Sequence, residues 1–181
     1  MKPILIVTVI LILSNQTASA DVLTTFDGGS EDIRWRVVND TVMGGRSNGG
    51  FQIDSGALVF AGSTNTRGGG FSSIRSVPTA LPIPETAAGF ELKLKGDGRI
   101  YTFRVETADG VSYWAEFPTA KERSNVKVPF SRFKPRWRGR WLQGPELESN
   151  RIVSIGLMIY DGRDGEFLLE VDWIGLYRDS S

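Results

Sequence analysis

The chain of 181 residues contains no histidine and no cysteine. Without histidine the usual general base of enzymes is missing, and without cysteine there is no thiol nucleophile and no disulfide. Zinc and copper sites are built mainly from these two residue types, so oxygen atoms are the ordinary metal donors that remain. A carboxylate pair for glycoside hydrolysis, such as Asp40 with Asp97 or Glu106, stays open because sequence does not give their separation. The composition predicts a protein that is not an enzyme and has no cofactor. Calcium stays open, because Asp27, Glu31, Asp32, Asp161, Asp164 and Glu166 could be oxygen ligands, but neither acidic group has the spacing of a known calcium loop, and no metal site is predicted.

The chain has no excess of charge of either sign, because it contains 21 Lys and Arg residues and 21 Asp and Glu residues. Nucleic-acid-binding proteins usually carry a basic field, so we expect no nucleic-acid partner. Apolar runs long enough to cross a bilayer are also lacking after residue 20, and no transmembrane segment is predicted for residues 21–181.

Residues 1–20 have the composition of a secretory leader. An apolar run from Ile4 to Leu13 follows Lys2, and Ala18-Ser19-Ala20 precede Asp21. This order of a cation, a short apolar run and small residues is typical of a signal peptide cleaved after Ala20. The sequence therefore predicts a signal peptide at residues 1–20, a single domain at residues 21–181, and a periplasmic or extracellular location.

Beyond residue 50 apolar residues alternate with polar ones, the pattern of half-buried β-strands. The alternating apolar positions are Phe90, Leu92, Leu94; Tyr101, Phe103, Val105; Val111, Tyr113, Ala115, Phe117; Val126, Val128, Phe130; Ile155, Leu157, Ile159; and Phe167, Leu169, Val171, Trp173. Asp-Gly dipeptides, which favour hairpin turns, begin at Asp97, Asp109, Asp161 and Asp164. Residues 135–150, rich in Pro and Gly, are predicted to form a long loop. The pattern indicates an all-β sandwich or barrel with at most a turn of helix near Ser131 to Phe133.

Two glycine-rich segments interrupt this pattern, VNDTVMGGRSNGGF at residues 38–51 and NTRGGGFSSIR at residues 65–75. Glycine is expected where the backbone needs a positive φ or where another group approaches closely. One interpretation is that the glycines only fit two tight loops, with Asp40 capping a turn. The other is that two such loops lie side by side and expose backbone polar groups to a ligand. Both interpretations stay open.

Several motifs spread along the chain resemble those of one known family. They are W-x-V-x-N-D-x-V-M-G-G-x-S from Trp35 to Ser47, G-G-F-S-S-I-R from Gly69 to Arg75, G-D-G-R-x-Y from Gly96 to Tyr101, V-P-F-x-x-F from Val128 to Phe133, and G-x-F-x-L from Gly165 to Leu169. Together they resemble the complex I intermediate-associated protein 30 family, and they run over essentially all of residues 21–181.

The resemblance implies a jelly-roll β-sandwich of two antiparallel sheets, similar to galactose-binding domains, with loops gathered at one end. It also implies a non-catalytic assembly or chaperone-like factor that binds protein partners of a multisubunit complex, which in the mitochondrial members of the family is respiratory complex I. An envelope carbohydrate-binding module is the alternative, because the fold is shared with many sugar binders and tryptophan suits sugar stacking.

The candidate residues for binding a ligand or partner come from the two glycine-rich segments and two further places. Arg99 starts a strand and is expected to reach the glycine loops if Tyr101 faces the core. KPRWRGRW, residues 134–141, interleaves cations with tryptophans, a pattern suited to a partner surface or a sugar. The candidates are Asp40, Met43, Gly44, Gly45, Ser47, Gly69, Gly70, Phe71, Ser72, Arg75, Arg99, Trp137 and Trp141.

Overall fold

A computed structural model describes residues 21–28, 33–137 and 140–179. The predicted signal peptide lies outside these residues. Within them the chain forms thirteen β-strands and three short 3₁₀ turns. The strands are β1 (Asp21–Thr25), β2 (Trp35–Asn39), β3 (Asn48–Asp54), β4 (Ala57–Thr64), β5 (Ser72–Ser76), β6 (Gly89–Lys95), β7 (Ile100–Thr107), β8 (Ser112–Pro118), β9 (Ser124–Pro129), β10 (Lys134–Trp137), β11 (Arg140–Trp141), β12 (Ile152–Ile159) and β13 (Gly165–Tyr177). The 3₁₀ turns are Asp40–Met43, Phe130–Arg132 and Ser149–Arg151.

The strands of the described residues form two antiparallel sheets. One has the order β3-β4-β13-β6-β9, with β1 also paired to β13, and the other has the order β11-β10-β8-β7-β12-β5-β2. The connection from β12 to β13 passes from one sheet to the other, because β12 belongs to the seven-stranded sheet and β13 to the six-stranded one. The predicted all-β jelly-roll sandwich is confirmed. In the same described residues no helix is long and apolar enough to cross a membrane.

The core lies between the sheets and is built from the alternating apolar positions. In β7, Tyr101 and Phe103 are fully buried and meet rings of the other sheet. The ring of Phe103 lies 4.6 Å from that of Phe90, and the ring of Tyr101 lies 6.5 Å from that of Phe60. Since successive side chains of a strand point to opposite faces, the alternate residues of β7 lie on the outer face of the seven-stranded sheet.

The Asp-Gly turns form where the sequence places them. Gly98, Gly110, Gly162 and Gly165 all have a positive φ, between 72° and 113°. These turns connect β6 to β7, β7 to β8 and β12 to β13. A positive φ costs glycine little and other residues more, so these dipeptides fix the strand ends.

Two details differ from the sequence prediction. The pairing of β13 with β6 shifts register between Val171 and Trp173, so the buried positions continue at Ile174 and Leu176 instead of at Trp173. A bulge of this kind inserts one residue and reverses the face on which the following side chains lie. Trp173, predicted to face the core, is half-buried on the other face.

The second difference concerns the predicted loop at residues 135–150. It begins with a short hairpin, because β10 pairs with β11 and with the edge of β8. The guanidinium of Arg136 stacks on Trp141 across this hairpin, at 3.6 Å from the ring centroid. The cation–π contact and the backbone pairing together explain why a Pro- and Gly-containing segment is ordered as strands here.

Candidate functional site

The outer face of the seven-stranded sheet carries a groove of about 380 Å³. Strand register explains its floor, because Trp114 pairs with Arg104, Arg104 with Gly156, and Gly156 with Arg75 in one row across four strands. The 3₁₀ turn after β2 and the segment before β5 add one wall. The lining residues are Val38, Val42, Met43, Gly69, Phe71, Arg75, Arg104, Glu106, Gly110, Ser112, Trp114, Arg136, Trp137, Met158 and Tyr160.

Aromatic side chains form a strip along this groove. The ring of Tyr160 meets Phe71 on one side at 6.3 Å and Trp114 on the other at 6.0 Å, both edge to face. The guanidinium of Arg136 then lies 4.7 Å from the Trp114 ring and 3.6 Å from the Trp141 ring. Such contacts hold each ring in place, so the strip is a preorganised surface for an apolar or planar group.

Charged groups occupy the centre of the floor. Arg104 donates to Glu106 across 2.9 Å, and Arg75 donates from Nε to Ser73 Oγ across 3.2 Å. Burial, together with the positive charges of Arg104 and Arg36, lowers the pKa of Arg75 to about 10. The floor of the groove is therefore positively charged and partly shielded from water.

Asp40 lies beneath the groove wall and joins the two glycine-rich segments. It is fully buried and accepts hydrogen bonds from Ser47 N at 2.9 Å, Ser47 Oγ at 2.6 Å, Gly70 N at 2.6 Å and Phe71 N at 3.3 Å. Burial alone would raise the pKa of Asp40, but these hydrogen bonds outweigh it and hold the pKa below the ordinary value. A carboxylate bonded in this way fixes both segments against each other.

The glycines next to Asp40 are required by close approach. A Cβ on Gly45 would lie 2.2 Å from Asp40 Cγ, and a Cβ on Gly69 would lie 2.5 Å from Asp40 Oδ2. Gly44 and Gly70 have positive φ values of 84° and 111°. Of the two interpretations of these glycines, the structure supports tight loops, and the group that approaches them is a side chain of the chain itself.

Replacing Gly45 or Gly69 with alanine is expected to destabilise the fold by about 1 to 3 kcal/mol, because the added methyl overlaps the Asp40 carboxylate. The matched control is Gly50→Ala in β3, where an added Cβ meets no atom within 4 Å. Since glycine weakens a strand by about 0.5 to 1 kcal/mol relative to alanine, the control is expected to be neutral or stabilising. Urea denaturation measures the free energy of unfolding of each of the three variants. Equal changes at residues 45, 69 and 50 would contradict the explanation by close approach to Asp40.

Arg99 lies at the start of β7, away from the groove. Its guanidinium pairs with Asp161 at 2.6 Å and also donates to Thr64 Oγ1 and to the carbonyls of Arg163, Gly165 and Glu166. Tyr101 faces the core as expected, but Arg99 reaches the β12–β13 connection and not the glycine loops. Its donors are used within the fold, which corrects the expectation that it is available to a ligand.

The other predicted residues divide into two layers. Met43, Gly69, Phe71, Arg75 and Trp137 line the groove together, and their role in binding remains a prediction. A second group shapes the wall or supports the strip without lining the groove. This group is Asp40, Gly44, Gly45, Ser47, Gly70, Ser72 and Trp141. In it Asp40, Ser47, Gly70 and Ser72 are buried, and Ser72 Oγ donates to Asn39 Oδ1 across 2.7 Å, so these four are not placed to contact a ligand.

Trp114, Tyr160 and Glu106 line the groove but are not among the residues predicted from the sequence to bind a ligand or partner. The sequence does contain a signal for Trp114. The buried positions Tyr113, Ala115 and Phe117 alternate with positions that face solvent, and Trp114 is a large aromatic residue at one of those solvent-facing positions. Tyr160 likewise follows the buried Ile159 and points outward. Large aromatic side chains that lie together on an outer face thus mark a candidate binding face. Among the described residues no group of three or more Asp and Glu side chains is arranged to hold a metal ion.

Solved structures share this fold at low sequence identity. The solution structure of CtCBM11 superposes with a TM-score of 0.67 at 18% identity, covering 92% of this chain and 99% of that one. The family 11 carbohydrate-binding module of a cellulosomal cellulase from Clostridium thermocellum gives 0.63 at 15% identity, covering 90% and 96%. The structure of an exo-β-agarase gives 0.58 at 11% identity, covering 90% of this chain and 25% of that one. At these identities the likeness shows the galactose-binding-like sandwich fold.

Relatives at the sequence level are found in eukaryotes. The chain is 34% identical over 108 aligned residues to the mouse (Mus musculus) protein named complex I intermediate-associated protein 30, mitochondrial, with 49% of this chain and 30% of the mouse protein covered. It is 30% identical over 166 residues to an uncharacterised Schizosaccharomyces pombe protein, with 77% and 76% covered. The chain thus spans less than a third of the mouse relative.

The comparison overturns the predicted location. The mouse, Caenorhabditis elegans and Drosophila melanogaster relatives are all named as mitochondrial proteins, which is inconsistent with a periplasmic or extracellular protein. The wrong prediction rested on the composition of residues 1–20 alone, a stretch that carries no information on the folded domain.

The family itself is identified by a match over most of the folded chain. Residues 24–171 match the family described as complex I intermediate-associated protein 30. This range begins in β1 and ends in β13, so it includes both sheets, the Asp40 turn and the groove. The resemblance seen in the motifs is confirmed, and the chain belongs to the complex I intermediate-associated protein 30 family.

Proposed function

We propose that this protein is a non-catalytic assembly or chaperone-like factor of a multisubunit complex, and that the groove holds a protein partner. Family membership supports the assembly role, since the mouse and Caenorhabditis elegans relatives are named for association with complex I intermediates. Respiratory complex I is accordingly the complex we propose.

The observation that carries this proposal is the exposure of apolar side chains around one charged groove. Val42 is 71% exposed, Met43 61% and Trp137 60%. Contiguous exposed apolar groups on a folded protein mark interaction sites, and Met, Trp and Arg are enriched at protein interfaces. The partner would cover the apolar rim and meet the arginines of the floor.

The carboxylates near the site support a binding role over a catalytic one. Asp40 is buried and bonded to backbone and hydroxyl groups, and Glu106 is paired with Arg104. Asp97, the third acid considered for glycoside hydrolysis, accepts from Tyr101 Oη at 3.1 Å and from Leu168 N at 2.9 Å. Each of these three acids is thus hydrogen-bonded within the fold or ion-paired with an arginine. This arrangement does not support two carboxyl groups that face each other across the groove as a general acid and a general base.

The test is deletion of the gene in the source organism followed by complementation. We expect deletion to lower NADH:ubiquinone oxidoreductase activity and to accumulate partial complexes on native gels. The wild-type gene should restore assembly, and the double variant Met43→Ala/Trp137→Ala should not. The matched control is Ile53→Ala/Leu168→Ala, which truncates two apolar side chains that are 48% and 43% exposed on the six-stranded sheet.

The control should complement fully, because the six-stranded sheet takes no part in the groove. Normal complex I assembly in the deletion strain would contradict the assembly role. Full complementation by Met43→Ala/Trp137→Ala would instead show that the groove is not needed for assembly.

Carbohydrate binding is a second candidate, favoured by the aromatic strip on the sheet face. Trp137 and Tyr160 present ring surfaces that are 60% and 38% exposed, beside the polar groups of Glu106 and Ser112. A glycan array and tryptophan-fluorescence titration test it. A sugar that quenches fluorescence in the wild type and not in Trp137→Ala would support this candidate, and no response across the array would exclude the sugars tested.

A further inference from the structure

Arg75 lies at the centre of the groove floor, where the fold makes room for its side chain. It belongs to β5 and pairs with Arg36 on one side and Gly156 on the other. A Cβ on Gly156 would lie 2.7 Å from the Ile74 carbonyl oxygen and 3.3 Å from Arg75 Cγ. Because residue 156 is a glycine, the aliphatic part of the Arg75 side chain has room to lie on the sheet.

Arg75 has no ion-paired counterion among the described residues, although the negative charge of Glu106 acts on it from its pair with Arg104. Glu106 pairs with Arg104 at 2.9 Å, whereas Arg75 makes no ion pair within residues 21–28, 33–137 and 140–179. In the same ranges its hydrogen bond runs from Nε to Ser73 Oγ, and the terminal guanidinium nitrogens have no such partner. A half-buried guanidinium next to two other arginines is costly to keep unpaired. The pattern is typical of a group that meets its counterion in a complex.

We propose that Arg75 binds the carboxylate of an acidic side chain on a partner protein, in a segment where that Asp or Glu is flanked by apolar residues. The inference rests on the proposed function and names the chemistry that the groove recognises. A guanidinium fork donates two parallel hydrogen bonds to a carboxylate, which fixes the position and direction of the partner segment. The Asp or Glu thus sets the register, and the flanking residues supply contact area.

The rim of the groove favours a protein segment as the occupant. Val42 and Met43 are strongly exposed on the side next to Arg75, and neither offers a hydrogen bond to a sugar hydroxyl. Methionine adapts its shape to apolar partners and is frequent at protein-binding surfaces. An acidic residue between apolar ones therefore complements both the charge of the floor and the apolar rim.

The experiment selects a random phage-displayed peptide library on the immobilised full chain. We expect the selected peptides to share an Asp or Glu between apolar residues. A synthetic peptide of that sequence should bind Arg75→Met at least about 30-fold more weakly, because one partner of a desolvated charge pair is lost. Arg75→Lys keeps the charge without the fork and should give a smaller loss. Lys121→Met, which removes one exposed charge in the β8–β9 connection, should bind as the wild type does.

Folding of the Arg75 variant is checked by its thermal midpoint. Arg75→Met removes repulsion from Arg36 and Arg104, so we expect a midpoint equal to or above that of the wild type. Peptides without acidic enrichment, or equal affinity for wild type and Arg75→Met, would overturn the proposal. Binding of digalacturonate through Arg75 without any acidic peptide would also overturn it, since the carboxylate would then come from a sugar.

This failure is distinct from failure of the proposed function. If deletion of the gene impairs complex I assembly while Arg75→Met complements fully, the assembly role stands and the role of Arg75 is wrong. If deletion leaves assembly intact, the assembly role is wrong, whatever the peptide selection gives.

Discussion

Replacing Arg99 with alanine is expected to lower the free energy of unfolding by about 3 to 5 kcal/mol. The side chains of Arg99 and Asp161 are only 7% and 4% exposed, so loss of the arginine leaves a buried carboxylate without its counterion. The hydrogen bonds from Arg99 to Thr64 Oγ1 and to the Arg163 carbonyl are lost as well. Because the β12–β13 connection passes from one sheet to the other, its loosening should weaken the whole sandwich.

Urea denaturation and thermal melting of the variant measure this effect. For a domain of this size the melting temperature should fall by roughly 2 to 4 °C per kcal/mol. Arg34→Ala is the matched control, since Arg34 is exposed just before β2 and its side chain makes no ion pair with the described residues. The control is expected to stay within about 0.5 kcal/mol of the wild type. A loss of less than about 1 kcal/mol in Arg99→Ala would show that the buried pair does not hold the β12–β13 connection.

The fold could be predicted from the sequence because its signals are local. Alternation of apolar residues in FELKLK and YTFRV places Leu92 and Phe103 in the core, and each Asp-Gly dipeptide fixes a turn within two residues. Where one residue is inserted, as at the bulge after Val171, the local pattern gives the wrong face, because pairing with a distant strand sets the register.

The role of Arg99 could not be predicted because its partners are distant in sequence. The alternation correctly places Arg99 on the same face as Tyr101. Asp161, however, lies 62 positions further along the chain, and which side chain meets Arg99 depends on how the sheets connect. A buried ion pair of this kind has no local signature, and it is found only once the topology is known.

The groove was partly predictable. The glycine-rich segments do lie side by side, and Met43, Phe71 and Arg75 do converge on one face. The aromatic strip includes Trp114, on β8, and Tyr160, directly after β12, and the sequence marks both strands mainly by their buried residues. The outward phase of β8 and the residue that follows β12 carry the signal, since large aromatic side chains are unusual where a strand faces solvent.

The Asp40→Asn variant is expected to lose about 2 to 3 kcal/mol of stability, although its shape is unchanged. Oδ2 of Asp40 accepts from Ser47 Oγ, Gly70 N and Phe71 N, and Oδ1 accepts from Ser47 N. An amide has one oxygen, so in either orientation its NH₂ group faces a backbone donor that then stays unpaired. Hydrogen bonds to a charged acceptor contribute about 1.5 to 3 kcal/mol each, and a buried unpaired donor costs about 1 to 3 kcal/mol.

The same variant should weaken partner binding, because Asp40 holds the turn that carries Met43 against the segment that carries Phe71. The control is Asp54→Asn in the β3–β4 hairpin, where the exposed carboxylate accepts only from Ser55 Oγ among the described residues. This control should change neither stability by more than about 0.5 kcal/mol nor binding. An Asp40→Asn protein as stable as Asp54→Asn would contradict the joining role of Asp40.

The pH dependence of the Asp40→Asn effect separates the charge from the shape of the side chain. The pKa of Asp40 in the folded protein is held below its ordinary value of 3.8, chiefly by the hydrogen bonds that offset burial. Stability from this carboxylate is therefore fully present above the ordinary pKa and is lost as the pH falls through the lower folded-state value. The difference in unfolding free energy between wild type and Asp40→Asn should be largest at pH 7 and smaller at pH 3. A difference that stays constant over this range would mean that the amide disturbs packing, and that the negative charge of Asp40 is not what joins the two loops.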